Sequence, residues 1–237
     1  MQASFTIVVP VYNGVTHLEV TTVHQFLVRV PNTKVLVASM GGASIEAEGL
    51  HFCRLETLEA IPACDVLCVP GGPRTLDVLE HDAFLGQIQR LGNMAKYISS
   101  VCTGSLILAA AGLITGRQAA CHWAFRDLLP AFGVIPNEAR VVRDGNLLTG
   151  GGVTAGIDFV LTLVAELFGE ETAQDLQLRL EYAPAPPFDA GRPEIAPPHI
   201  LHAVRAKFAA SAQERHERVS SIAKKRGLGL ANPVEHG

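Results

Sequence analysis

Short apolar runs alternate along the chain with longer amphipathic stretches. The runs at 5–12, 33–40, 65–70 and 96–101 have the length and the aliphatic content of strands that are buried on both faces. Stretches of helix length lie between them, and several runs end in glycines. Such an alternation is typical of an α/β domain whose mostly parallel central sheet is covered by helices on both faces. We therefore expect a three-layer sandwich.

The second half of the chain continues this alternation up to a Pro-rich segment. Four further elements are predicted: a helix over 123–132, a hairpin over 140–149, and helices over 154–168 and 170–181. Residues 182–198 are rich in Pro and Ala and predict no regular structure. A helix over about 200–223 closes a single domain, which we assign to residues 1–223. The basic cluster that follows predicts a flexible, solvated tail over 224–237.

The composition excludes several classes of protein. Of the 237 residues, 48% are hydrophobic and 18% are charged, which is too apolar for a disordered chain. The net charge of −4 gives no basic footprint for nucleic acid or for an anionic membrane surface. Polar residues interrupt every apolar run before the ~18 residues of a membrane-spanning helix, and the first residues lack a signal-peptide pattern. We expect a soluble, cytoplasmic protein with no nucleic-acid or membrane partner.

Five cysteines are spread over the chain without the spacing of a disulfide framework. Cys64 and Cys68 are separated by three residues, whereas redox and zinc motifs have two. We expect no metal site, and we interpret Cys53, Cys64, Cys68 and Cys121 as small buried hydrophobic residues. The context of Cys102 is different and points to chemistry.

Cys102 directly follows the predicted strand at 96–101, and small residues open a helix behind it. This order is typical of a nucleophile elbow, a tight strand-to-helix turn that leaves little room for neighbouring side chains. A helix N-terminus behind the cysteine favours the thiolate, which is the reactive form. A buried structural cysteine is the alternative, but Gly104 and Ser105 at this turn favour the nucleophile.

Gly71 and Gly72 follow another predicted strand, whose carboxyl end lies at the same edge of a parallel sheet. Glycines leave backbone N–H groups open to a neighbouring site, as an oxyanion hole requires. We predict the N–H groups of Gly72 and Thr103 as the donors, and the Thr103 hydroxyl as a further one. The alternative is a plain turn.

Glu19 lies near the start of the helix that follows the first strand. Its neighbours Leu18 and Val20 are apolar, so its carboxyl group could be half-buried, with a raised pKa suited to general acid–base work. The alternative is an exposed glutamate that interacts with the helix dipole. Periodicity alone leaves these two interpretations open.

Six motifs carry a resemblance to a known family: PGG at 70–72, SVCTGSL at 100–106, HW at 122–123, RVVRDGNLLTGGG at 140–152, TAGIDF at 154–159 and LEYAPAPPF at 180–188. In combination they resemble the ThiJ/PfpI superfamily, a flavodoxin-like branch related to class I glutamine amidotransferases, and within it the isocyanide hydratase group. The resemblance spans residues 5–190. It implies a flavodoxin-like three-layer sandwich, a homodimer, no cofactor, a nucleophilic Cys102 and an acidic partner that matches Glu19.

The chain departs from this pattern at two positions. Glu19 stands where isocyanide hydratases carry Asp, so its carboxyl group reaches the same place through a longer side chain. Thr103 stands where amidotransferase-like and protease-like members carry His, which argues against amidase or protease chemistry. His122 resembles a family histidine near the nucleophile, and it either orients or protonates the substrate or serves packing. We interpret Asp158 as structural.

The resemblance implies hydration of a small-molecule isocyanide to an N-substituted formamide through a thioimidate on Cys102. Glu19 and Thr103 would complete the catalytic set, and Gly72 and His122 would contact the substrate. Two alternatives remain: a ligand-sensing module related to the N-terminal domain of AraC-type regulators, and a glyoxalase-like hydratase of α-oxoaldehydes. A sensor would bind small molecules without turnover that depends on Cys102.

Overall fold

A seven-stranded sheet forms the centre of the molecule. The computed structural model describes residues 5–229, and within this range the chain forms eleven strands and eight α-helices. The strands are β1 (Phe5–Pro10), β2 (Thr33–Ser39), β3 (Ile45–Ala47), β4 (Leu50–Phe52), β5 (Glu56–Thr57), β6 (Val66–Val69), β7 (Tyr97–Val101), β8 (Gln118–Ala119), β9 (Ile135–Pro136), β10 (Val141–Asp144) and β11 (Leu147–Gly150). The helices are α1 (His17–Leu27), α2 (Thr75–Val78), α3 (Asp82–Met94), α4 (Gly104–Ala110), α5 (Ala155–Phe168), α6 (Glu170–Arg179), α7 (Pro198–Ala209) and α8 (Ala212–Lys225).

The strand order of the central sheet is β10-β11-β7-β6-β1-β2-β5. All neighbouring pairs are parallel except β10 and β11, which form the predicted hairpin. Strand β6 is buried along its whole length, as expected for a strand covered on both faces. The predicted α/β class and mostly parallel sheet are therefore confirmed.

The direction of the crossovers places helices on both faces. From β1 the chain crosses through α1 to β2 on one side, whereas from β6 it crosses through α3 to β7 on the other. Because such crossovers are right-handed, the reversal puts α1 on one face and α3 on the opposite face. Helix α5 packs on α1 and helix α4 packs on α3, which completes the three layers. The reversal opens a crevice at the carboxyl ends of β1 and β6.

Two predicted helices differ from the structure. The segment predicted as a helix over 123–132 forms a 3-10 helix at Arg126–Phe132, because Pro130 lies inside it and has no amide hydrogen for an α-helical bond. The single helix predicted over about 200–223 is two helices, with the break at Ala210 and Ser211. The Arg215 guanidinium donates to the Phe208 carbonyl at 2.8 Å and so satisfies an acceptor that the break leaves open.

The C-terminal end of the described chain is packed against the domain. Lys225 and Arg226, in the segment predicted as a solvated tail, both pair with Asp82 at the start of α3. Leu228 packs on the hydrophobic core. These contacts of Lys225, Arg226 and Leu228 differ from the solvated tail that the basic cluster predicts. Residues 1–4 and 230–237 lie outside the described residues.

Residues 182–197 contain no helix or strand, in agreement with their Pro-rich composition. None of the helices within residues 5–229 is long and apolar enough to span a membrane.

Candidate active site

Cys102 lies in a tight turn between β7 and α4. Its φ angle is +57°, a left-handed conformation that non-glycine residues rarely adopt. Its backbone N–H donates to the carbonyl groups of Gly150 at 3.0 Å and Gly151 at 2.8 Å, so the end of β11 holds the turn. A Cβ atom on Gly104 would overlap the carbonyl oxygen of Val69, so only glycine lets α4 begin this close to β6. The turn has the predicted elbow geometry.

Glu19 is fully buried in the first turn of α1. Its Oε2 accepts a hydrogen bond of 2.6 Å from the backbone N–H of Gly71. Its Oε1 is buried and has no hydrogen-bond partner among the described residues. The Cys102 thiol lies next to the carboxyl group. Burial raises the pKa of Glu19 to about 8, although the Gly71 N–H and the Cys102 thiol partly offset this rise. The buried interpretation of Glu19 is confirmed, and the exposed one is wrong.

The Cys102 thiol is also buried, with 5% of the residue exposed. Burial raises its pKa well above the ordinary value, and the charges of Glu19 and Cys121 raise it further. The Thr103 N–H donates to the sulfur and lowers the pKa of the thiol, but by less than burial raises it. The predicted effect of the helix N-terminus, which favours the thiolate, is therefore smaller than the opposing effect of burial. Burial thus disfavours the ionised form of both groups, so Cys102 and Glu19 are both mostly protonated at neutral pH, and the pair loses its first proton near pH 8.

Gly72 lies beside the elbow, but its N–H is already used. It donates to Thr103 Oγ1 and to Thr75 Oγ1, both at 3.1 Å. This differs from the prediction that the Gly72 N–H faces the substrate. The side-chain oxygens that occupy it belong to two threonines, one of which, Thr75, the sequence did not single out. A Cβ atom on Gly72 would overlap the Gly14 carbonyl, so close packing explains this glycine.

His122 contributes an aromatic surface to the site. Its ring lies 5.8 Å from Trp123, 5.7 Å from Phe125 and 6.0 Å from Phe208, measured between centroids. Its Nδ1 accepts a 3.2 Å hydrogen bond from the Ala124 N–H, and burial lowers its pKa. The ring is therefore neutral at pH 7 with its proton on Nε2. These contacts favour the packing interpretation of His122.

A cleft of about 520 Å³ opens over Cys102. Five apolar side chains contribute to its wall: Pro73, Leu76, Leu106, Phe125 and Phe208. Helices α7 and α8 supply one side of the cleft, and the charged residues at its rim come from there: Lys207, Glu214, Arg215 and Arg218. No sequence signal marks this wall, because a helix that packs over a site has the same amphipathic pattern as any other surface helix.

Two comparisons place this geometry among known proteins. The model of the DJ-1/PfpI family matches residues 5–166. The isonitrile hydratase of Pseudomonas putida is 46% identical over 215 residues, which cover 90% of this chain and 94% of that protein. The chain belongs to the DJ-1/PfpI family. The family resemblance that the sequence motifs carried is thereby confirmed.

Two further relatives show how far the similarity extends. The crystal structure of a ThiJ/PfpI family protein from Pseudomonas syringae superposes with a TM-score of 0.87 at 38% identity, covering 93% of this chain and 91% of that one. The transcriptional regulator GlxA of Rhizobium meliloti is 29% identical over 140 residues, which cover 57% of this chain and 39% of the regulator. The similarity to the regulator is confined to part of both proteins.

Other residues that the sequence singled out in this DJ-1/PfpI chain lie outside the cleft. Asp158 pairs with Arg140 and accepts a hydrogen bond from the Tyr182 hydroxyl at 2.9 Å, which is a structural role. Among the cysteines interpreted as buried, Cys53 is exposed, because it lies in the loop after the edge hairpin of β3 and β4. No group of three or more His, Cys, Asp or Glu side chains within residues 5–229 is arranged to hold a metal ion.

Proposed function

We propose that this chain is an isocyanide hydratase, which converts R–N≡C and water into the formamide R–NH–CHO. The observation that carries the proposal is the buried pair of Glu19 and Cys102, which holds a proton beside an apolar cleft. The 46% identity to the isonitrile hydratase, spread over nearly the whole of both chains, supports the same activity. Cys102 serves as the nucleophile and Glu19 as the acid–base group.

The first half of the reaction forms a covalent intermediate. The thiol proton of Cys102 passes to the Glu19 carboxylate while Sγ bonds to the terminal isocyanide carbon. Glu19 then delivers this proton to the substrate, and the product is the thioimidate R–N=CH–S–Cys102. Addition to an isocyanide expels no leaving group. The site therefore does not have to protonate and expel an amine, as amide hydrolysis requires. A site with Thr103 after the cysteine, and no histidine there, suits this chemistry.

The second half of the reaction consumes water. The Glu19 carboxylate accepts a proton from water as the hydroxyl oxygen bonds to the thioimidate carbon, and the substrate nitrogen then takes that proton. The C–S bond of the tetrahedral adduct breaks, the O–H proton returns to the pair of Glu19 and Cys102, and the formamide leaves. A carboxyl group with a pKa of about 8 can both donate and accept a proton near neutral pH.

The ligand-sensing alternative and the glyoxalase alternative have less support. The regulator GlxA shares only 140 residues with this chain, and these cover 39% of the regulator. The isonitrile hydratase, in contrast, matches along 94% of its own length. We therefore do not favour a sensor or a glyoxalase-like hydratase.

An absorbance assay with an aryl isocyanide tests the proposal, with the product identified by its mass gain of one water. The wild type should convert the isocyanide, and Cys102→Ala should retain less than a few per cent of that rate while its circular dichroism stays unchanged. Cys64→Ala is the matched control, because Cys64 is a buried cysteine at the opposite end of β6. An inactive wild type that consumes methylglyoxal instead would favour the glyoxalase alternative. Turnover by Cys102→Ala would refute covalent catalysis.

We also propose that the enzyme is a cytoplasmic homodimer. Phe188 and Ile195, in the Pro-rich segment, are 79% and 49% exposed, and apolar side chains of this size favour burial against a partner. All five cysteines are free thiols, which suits a reducing compartment. Sedimentation at micromolar concentration should give twice the mass of one chain, and a monomer would refute the dimer.

A further inference from the structure

Three buried hydroxyl groups form a chain of hydrogen bonds that ends beside Cys102. The Tyr12 hydroxyl lies 3.1 Å from Thr75 Oγ1, and Thr75 Oγ1 lies 2.8 Å from Thr103 Oγ1. Tyr12, Thr75 and Thr103 are 7%, 2% and 4% exposed. Both threonines line the cleft, whereas Tyr12 lies behind them with its ring packed on Phe84 at 5.8 Å.

The backbone around Gly72 supports this chain from both sides. The Gly72 N–H donates to both threonine oxygens at 3.1 Å. The Gly72 carbonyl accepts from Thr75 Oγ1 at 2.8 Å and also from the Thr75 N–H at 3.1 Å. This carbonyl therefore keeps a donor even if the Thr75 hydroxyl turns away from it.

The hydrogen-bond partners allow several arrangements of the three hydroxyl protons, and the two extremes are those in which the Thr103 hydroxyl must donate inward or outward. In the first, Thr103 donates to Thr75, Thr75 donates to Gly72 O, and Tyr12 donates to Pro70 O at 3.4 Å. In the second, Tyr12 donates to Thr75, Thr75 donates to Thr103, and the Thr103 hydroxyl is free to donate into the cleft.

The two arrangements suit different states of the site. The second needs an acceptor in the cleft, since an unpaired buried hydroxyl costs free energy. Such an acceptor arises when Sγ bonds to the isocyanide carbon, because the broken π pair then becomes a lone pair on nitrogen and the carbon lone pair carries the negative charge until Glu19 protonates it. The same need returns when water adds to the thioimidate.

We propose that Tyr12 and Thr75 are positioning residues that turn the Thr103 hydroxyl into a donor for the negative charge that develops on the substrate. The role rests on the proposed hydratase function. Only O–H bonds rotate, so no proton leaves the three hydroxyls and no other reactant is needed. Because the donors are preorganised in a buried site, the charge is stabilised without reorganising water.

Single-hydroxyl variants test this role. Tyr12→Phe keeps the ring on Phe84 and removes one donor, and we expect kcat to fall about 3- to 10-fold with KM little changed. Thr75→Val breaks the chain, and we expect a fall of about 10- to 100-fold, whereas Thr75→Ser restores most of the rate. Tyr97→Phe is the matched control. Tyr97 lies at the start of β7, at the opposite end of the strand from Cys102, and its hydroxyl donates to Glu166.

A second measurement separates this role from a merely structural one. Alkylation of Cys102 by iodoacetamide places no negative charge where the Thr103 hydroxyl would donate, so Tyr12→Phe and Thr75→Val should be alkylated at the wild-type rate. Equal losses in the alkylation rate and in kcat would mean that the three hydroxyl groups only hold Cys102 in place, and this result would overturn the proposal. Unchanged kcat in Tyr12→Phe, or no rescue by Thr75→Ser, would overturn it as well. A wild type without isocyanide turnover refutes the proposed function, and this role falls with it.

Discussion

The carboxyl group of Glu19 is fixed by the backbone of Gly71. Glu19 Oε2 accepts from the Gly71 N–H at 2.6 Å, and the Gly71 carbonyl accepts from the Thr16 N–H at 3.0 Å. These two bonds tie the start of α1 to the loop after β6. A Cβ atom on Gly71 would overlap Thr103 Oγ1, so glycine also lets this loop approach the elbow. The position of the acid relative to Cys102 thus follows from backbone contacts between two loops.

Substitution of Glu19 should separate its proton-transfer role from its position. Glu19→Gln keeps the shape and can still accept from Gly71, but it cannot ionise, so kcat should fall roughly 10²- to 10⁴-fold. Glu19→Asp keeps the acid but withdraws it by one methylene, so we expect an intermediate loss. Rates with an aryl isocyanide measure both effects, with melting temperatures alongside.

The control for these variants is Glu171→Gln, which neutralises an exposed glutamate at the start of α6. It should have the rate of the wild type. A Glu19→Gln enzyme within a few-fold of the wild type would remove Glu19 from the mechanism.

The pH dependence of kcat/KM should report the shared proton. When both Cys102 and Glu19 are protonated, no base is present to take the thiol proton, so the rate is low. Loss of one proton from the pair, governed by the Glu19 pKa of about 8, gives the productive state. We therefore expect kcat/KM to rise with pH through about 8. Initial rates from pH 6 to 10 measure this rise in kcat/KM, which should be absent in Glu19→Gln. A wild-type kcat/KM that does not change with pH would contradict the shared-proton mechanism.

The raised pKa of Glu19 also predicts a stability effect. The folded state holds the Glu19 proton up to about pH 8, whereas the unfolded chain releases it near the ordinary value of 4.5. Between these values the folded state binds more protons, so the free energy of unfolding falls as pH rises, by at most about 1.4 kcal/mol per pH unit. Glu19→Gln has no carboxyl proton to release, so this fall in the free energy of unfolding should be absent from the variant.

Urea unfolding at pH 5 and pH 8.5 measures the effect. The difference between Glu19→Gln and the wild type should shift in favour of the variant by a few kcal/mol at the higher pH. Glu171→Gln should show no such pH-dependent difference. If the difference for Glu19→Gln is the same at both pH values, the carboxyl group of Glu19 is not held neutral by burial.

The sheet and the elbow could be predicted because they depend on local sequence. Apolar runs of strand length fix β6 and β7, and the order of strand, Cys102 and glycine describes the turn without any distant contact. The state of the Cys102 thiol could not be predicted in this way. Its pKa depends on how completely α1 and its neighbours exclude water, and that is a property of the assembled layers.

The donors at the site show the same limit. From the glycine alone, the Gly72 N–H looks open to a ligand, but it donates to the hydroxyl oxygens of nearby Thr75 and of Thr103, which is distant in the sequence. Thr75 and Tyr12 are ordinary residues in the sequence, and only the crossing of β1, α2 and α4 brings their hydroxyls together. The wall that α7 and α8 form over the cleft escaped prediction for a related reason, since only the folded structure places these two helices over Cys102.

The last prediction concerns Phe208, which α7 places over the cleft. Its ring lies 5.6 Å from Trp123 and 5.8 Å from Phe125, so it is fixed in an aromatic cluster that forms part of the substrate wall. Removal of a ring that contacts a bulky substituent costs about 1–2 kcal/mol of binding, or roughly 5- to 30-fold in KM. We therefore expect Phe208→Ala to raise KM for an aryl isocyanide by this factor while kcat changes little, because the ring touches no reacting atom.

Substrate size provides the internal check on this prediction. Methyl isocyanide is too small to span the cleft of about 520 Å³ from Cys102 to α7, so Phe208→Ala should leave its KM unchanged. Phe208→Leu, which keeps part of the apolar surface, should lie between wild type and alanine for the aryl substrate. Leu178→Ala is the control, because that side chain on α6 is 81% exposed and lies outside the cleft. Equal losses for both substrates would mean that α7 supports the fold of the site, and that Phe208 does not select the substituent.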